Sequence, residues 1–61
     1  MRTYWIDMIE YRAKSPDTLA RRLYGQGAAT IHREDTDTNP VHYEWWEVYV
    51  KGEWITDIFP D

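Results

Sequence analysis

Residues 3–13, TYWIDMIEYRA, alternate imperfectly: Tyr4, Ile6 and Met8 share one face of an extended chain, and Trp5, Ile9 and Tyr11 share the other. Their β-branched and aromatic content, without Gly or Pro, predicts a single strand that is apolar on both sides. The pattern then changes period. In SPDTLARRLYGQG, residues 15–27, Leu19 and Leu23 lie one helical turn apart with Pro16, Ala20 and Tyr24 beside them, while Arg21 and Arg22 point away. Ser15 suits an N-cap, Pro16 the first helical position and Asp17 the positive end of the dipole. Gly25 or Gly27 can close the helix in a left-handed conformation. So short a helix needs a sheet to pack on.

A modest strand around Ile31 follows, over residues 28–34. EDTDTNP, residues 34–40, is turn-forming throughout. An aromatic strand over about residues 41–50, a Lys51-Gly52 turn and a last strand over residues 53–59 complete the chain. The expected fold is α+β: one short helix on a four-stranded antiparallel sheet, in the order β-α-β-β-β, as a single domain spanning residues 1–61.

The last hairpin, HYEWWEVYVKGEW onward, carries the sharpest register question. A two-residue loop places Val50 opposite Glu53, Tyr49 opposite Trp54, Val48 opposite Ile55, Glu47 opposite Thr56, Trp46 opposite Asp57 and Trp45 opposite Ile58. A three-residue loop would set Glu47 against Asp57, and like charges directly opposite destabilise, so the first register is preferred. It puts Trp46, Val48, Val50, Ile55 and Phe59 beneath the helix. Tyr43, Trp45, Tyr49, Trp54 and Ile58 fall on the other face, interrupted by Glu47 and Lys51. One short helix cannot cover both faces, so Tyr43, Trp45, Glu47, Tyr49 and Trp54, with Trp5, form the candidate partner-binding surface, Trp and Tyr being common interface anchors. The bland alternative is that the rings lie flat and shield the face themselves.

Composition sharpens this picture. At 61 residues without cysteine, the chain has neither disulfides nor a thiolate zinc site to support a small core. Ten aromatic residues supply burial area that the short aliphatic list cannot. The net charge of −4 is unevenly distributed: residues 1–33 carry six basic and three acidic side chains, residues 34–61 eight acids against Lys51 alone. An acidic half favours a basic partner and opposes phosphates. No apolar run approaches the ~18 residues of a membrane span, and no leader opens the chain, which predicts a cytoplasmic protein without membrane contact.

Chemical motifs are sparse. Asp35, Asp37 and Asn39 copy the first ligand positions of a calcium-binding EF-hand loop, but Pro40 replaces the turning Gly and Trp46 the bidentate Glu. His32 and His42 flank that loop and supply two ligands at best, too few for zinc. There is no serine elbow, no glycine-rich phosphate loop and no nucleophile with an adjacent base, so neither an enzyme nor a cofactor is expected. Aromatics on an open sheet can stack bases, yet here Glu44, Glu47, Glu53 and Asp57 flank them. Arg12, Lys14, Arg21 and Arg22 form a secondary basic patch, through which weak nucleic-acid binding is the trailing reading.

This layout, with AKSPDTLARRLYGQG as a short helix and WWEVYVKGEWITD as a Gly-turned aromatic hairpin, resembles small phage and prophage βαβββ proteins, several of which are anti-CRISPR or host-takeover inhibitors. The resemblance spans most of the chain through helix placement and the hairpin ending, and it transfers no functional residue. It implies an inhibitor, acting in the host cytoplasm, that occupies a nucleic-acid-binding surface on a host complex. The acidic hairpin would suit nucleic-acid mimicry. The function expected is a non-enzymatic protein-binding module; its alternative is a homodimer closed through the aromatic face.

Overall fold

In the computed structural model, which describes residues 1–35 and 43–61, the first apolar stretch is a hairpin. Strand β1 (Arg2–Ile6) pairs antiparallel with β2 (Ile9–Ala13), and Ile6 opposes Ile9. Asp7 and Met8 form the two-residue loop, with φ of 49° and 68°, the conformation whose twist matches a tight hairpin. This accounts for the imperfect alternation: a two-residue loop switches the inward positions from even to odd. Tyr4 and Ile6 before it, and Tyr11 and Ala13 after it, then share one face. The expected four-stranded sheet is therefore five-stranded, and the order is β-β-α-β-β-β within the α+β class.

The helix forms as its punctuation dictates. In α1 (Pro16–Tyr24) the Ser15 hydroxyl accepts from the Thr18 amide at 3.1 Å, and Gly25, at φ 97°, donates its amide to the Arg21 carbonyl at 2.9 Å. Leu19 and Ala20 are completely buried, whereas Leu23 and Tyr24 remain about one-third exposed. Asp17 ties the helix to the sheet by accepting from the Thr30 hydroxyl.

Strands β3 (Ala28–Asp35), β4 (Tyr43–Val50) and β5 (Glu53–Pro60) make the antiparallel meander, and the sheet order is β2-β1-β5-β4-β3. The chain thus crosses from one edge strand, β2, to the other, β3, by way of α1, which lies over a single face. The core between them comprises Tyr4, Ile6, Ala13, Leu19, Ala20, Ala28, Val48 and Ile58, with Tyr11, Trp46 and Val50 packed against it. Tyr4 meets Trp46 edge to face, ring centres 6.0 Å apart.

The β4–β5 hairpin starts in the expected register, Val50 opposite Glu53 and Tyr49 opposite Trp54, around a Lys51-Gly52 loop with φ of 53° and 80°. It then slips by one residue. Val48 opposes Thr56, Glu47 opposes Asp57 and Trp46 opposes Ile58, leaving Ile55 as the extra residue of a β-bulge. The slip exchanges the faces of everything beyond it. Ile58, expected outside, has no exposed surface, whereas Phe59 and Ile55, expected beneath the helix, are 47% and 38% exposed. Trp46, Val48 and Val50 take the helix side as expected. Among the described residues, no helix is long and apolar enough to cross a membrane.

Candidate functional site

The face opposite α1 has two halves of different character. On the β3–β4 half, register places Arg33 beside Trp45, Ile31 beside Glu47, and Asp35 beside Tyr43. The Arg33 guanidinium donates through Nε to Glu47 Oε1 at 3.2 Å, and the Tyr49 hydroxyl donates to the same oxygen at 2.9 Å. The Tyr49 hydrogen bond, joined by Arg33 and the Trp45 indole, holds the Glu47 carboxyl below the usual glutamate range despite some desolvation. The hydrogen bond to Glu47 in turn raises the pKa values of Arg33 and Tyr49. Trp45, Glu47 and Tyr49 are only partly exposed. Of the candidate residues, Tyr43, Trp45, Glu47 and Tyr49 therefore fall in or beside an internally bonded network, whose carboxylate charge is balanced by Arg33.

The β1–β5 half is open. Strand β1 pairs with β5 only at Tyr4–Pro60 and Trp5–Phe59 before turning back at Asp7-Met8. The first half of β5 is therefore flanked by a strand on its β4 side alone. A groove of about 600 Å³ occupies that notch, walled by Trp5, Met8, Trp54, Ile55 and Phe59, with the carboxylates of Asp7 and Asp57 at its margin. It touches four consecutive residues, 54–57. The bulge at Ile55 interrupts the regular alternation of side chains here, and consecutive residues of β5 meet one groove beside the stretch of strand that β1 leaves unpaired. Its volume lies within the range of about 300–1,000 Å³ typical of ligand sites.

Both indoles of the groove have their N–H ends tied down. Trp54 Nε1 donates to Asp57 Oδ1 at 2.8 Å, and Trp5 Nε1 donates to Asp61 Oδ1 at 3.0 Å. What the two side chains offer a ligand is consequently ring carbon, and each ring is anchored by an anion. Within the candidate surface the structure thus brings Trp5 and Trp54 together and sets the four β4 residues in the adjacent network.

No family model matches the chain, and neither a curated protein nor a solved structure is significantly similar to it.

The groove's other residues escaped sequence reasoning. Residue order alone predicts Asp7 and Met8 as strand interior, Asp57 as a carboxylate flanking the aromatics, and Ile55 and Phe59 as core. The available signal was the parity change between Ile6 and Ile9, which marks a two-residue loop. Nothing comparable marks the bulge at Ile55.

The remaining candidates sit elsewhere. Arg22 Nη2 donates to the Arg12 carbonyl at 2.9 Å, while Arg21 lies 3.9 Å from Asp17 on the helix, so the basic patch is partly committed to holding α1 on β2. Lys14 is exposed. His32, stacked on Trp46 at 4.9 Å, places Nε2 2.9 Å from Glu44 and 3.8 Å from Glu34. One imidazole and two carboxylates within 4.8 Å of one another form a ligand set that could hold a divalent cation. His42, Asp37 and Asn39 lie outside the described residues, and Asp35 ends β3 opposite Tyr43.

Proposed function

We propose that this protein is a non-enzymatic binding module that engages a partner protein with the open face of its sheet, centred on the groove between β5 and the tip of the β1–β2 hairpin. One observation carries the reading: five large apolar side chains, none of them in the buried core, wall one groove beside β5. Apolar surface gathered in one place, with Trp at its centre, is characteristic of contact surfaces. The carboxylates at its margin select a basic partner surface and oppose a nucleic-acid backbone. The resemblance to small phage inhibitors agrees with that choice, and occupation of a nucleic-acid-binding surface on a host protein, in the cytoplasm, is the form of the activity that fits it best.

Replacement of both Trp54 and Phe59 by Ser tests this reading. Neither side chain belongs to the buried core, so the variant stays folded, with a modestly lower urea midpoint, while losing the partner that the wild-type chain captures. Equal capture by the two proteins overturns the proposal. Light scattering across a concentration series separates the dimeric alternative, in which the wild type doubles its mass and the variant does not.

A further inference from the structure

Resting on that reading, we infer that the groove accepts an arginine side chain presented by the partner. Three features argue for a cation here and for this one in particular. First, the groove's charged groups are of one sign: Asp7 and Asp57 line it, and no Lys or Arg does. Glu10 stands directly opposite Trp5, and Glu53 directly precedes Trp54, so the surroundings reinforce the field.

Second, Trp5, Trp54 and Phe59 form an aromatic wall, and the faces of such rings attract cations, Trp most strongly. Both indole N–H groups already donate to carboxylates. A donor bonded to an anion gains electron density, and the ring face becomes a better cation acceptor. Third, Asp7 is exposed on a two-residue turn, beside Met8. Because Asp7 lines the same groove as the rings, a cation stacked on them shares the cavity with a carboxylate. A guanidinium stacks flat on an aromatic wall while donating in its own plane to a carboxylate. An ammonium is a hydrated point charge and does only one of these well.

The test uses blocked pentapeptides, Gly-Gly-X-Gly-Gly, in which X is arginine, lysine or citrulline. Citrulline keeps the shape of arginine without its charge. The readout is the pair of indole N–H resonances of Trp5 and Trp54 in the full-length protein. The arginine peptide is expected to move both signals saturably. The citrulline peptide should bind about tenfold more weakly, the lysine peptide should fall between them, and added salt should weaken the arginine peptide.

Asp7→Asn should cost several-fold in arginine-peptide affinity without loss of stability, since Asn is well suited to the turn Asp7 occupies. Equal binding of arginine and citrulline peptides overturns the inference, as does an Asp7→Asn variant that binds as the wild type does. If capture of a partner still depends on Trp54 and Phe59 while arginine shows no preference, the groove takes an uncharged anchor: the inference falls and the binding function stands. If neither capture nor peptide binding depends on these residues, both fall.

Discussion

Glu47 and Asp57 stand directly opposite one another across the β4–β5 ladder, two carboxylates in a position that favours opposite charges. The pairing survives because each has another partner: Glu47 accepts from Tyr49 and Arg33, and Asp57 from the Trp54 indole. The electrostatic cost is small beside packing. A like-charge pair costs at most about 1 kcal/mol, whereas full burial of an Ile side chain gains roughly 1.5–3 kcal/mol. The bulge that brings the carboxylates together is the one that carries Ile58 into the core.

The Glu47 network gives a pH dependence of definite sign. Its carboxyl is held below the usual range in the folded protein, so its contribution is complete above the unfolded value of about 4.3 and is lost as pH falls through the folded one. The urea midpoint of Glu47→Gln should lie below that of the wild type at about pH 7, and the difference should shrink toward zero by about pH 2. A gap that is unchanged in acid would show that Glu47 contributes through packing.

Face assignment at the end of β5 can be checked with two neighbours. Ile58→Ala removes a side chain with no exposed surface and should cost roughly 2–5 kcal/mol, a large part of the stability of so small a domain. Phe59→Ala, on the open face, should cost under about 1 kcal/mol. Denaturant titration of the two variants decides the matter, and the reverse ranking would invert the sheet.

Met8 holds a positive φ of 68° with 93% of its surface exposed. Such a conformation costs a residue with a Cβ about 1–2 kcal/mol, and glycine is spared it. Met8→Gly should therefore raise stability by about 0.5–1 kcal/mol, a rise of several degrees in melting temperature for a chain this short.

The N-cap is a fourth test. Ser15→Ala removes the acceptor of the Thr18 amide and should cost about 1 kcal/mol. Ser15→Asp should restore most of it, because a carboxylate both caps the helix and complements its dipole. Thermal melts of the three proteins give the comparison.

Much of this structure was legible from residue order. The helix was readable because Ser15, Pro16 and Gly25 each act through local chemistry that no distant contact overrides. The Lys51-Gly52 loop and its first two pairs were readable for the same reason. The hairpin at Asp7-Met8 was hidden because Asp7 is its loop's one turn former and is followed by Met8, where a glycine usually marks so tight a hairpin. The bulge at Ile55 was hidden for a different reason: its benefit is collected at Ile58, and only the assembled core shows that Ile58 has somewhere to go. The candidate surface divided along the same line. Trp5 and Trp54, which line the groove, stand out by residue type, whereas the place of Asp7, Asp57 and Phe59 beside them follows only from the register.

The sheet joins the chain's first strand to its last. The β1–β2 hairpin and the β3–β4–β5 meander are each built from neighbours in sequence, but they meet through two ladder pairs, Tyr4–Pro60 and Trp5–Phe59, with Asp61 bonded to Thr3 and Trp5. These contacts span more than fifty residues, so their loop-closure entropy must be met before they return anything. Local hairpins form in microseconds, and the β1–β5 seam, whose partners are the farthest apart in sequence, is expected to be the last ladder to close. Because the groove takes Trp5, Asp7 and Met8 from one half and residues 54–57 and 59 from the other, it exists in neither alone: closing the sheet and assembling the groove are one event.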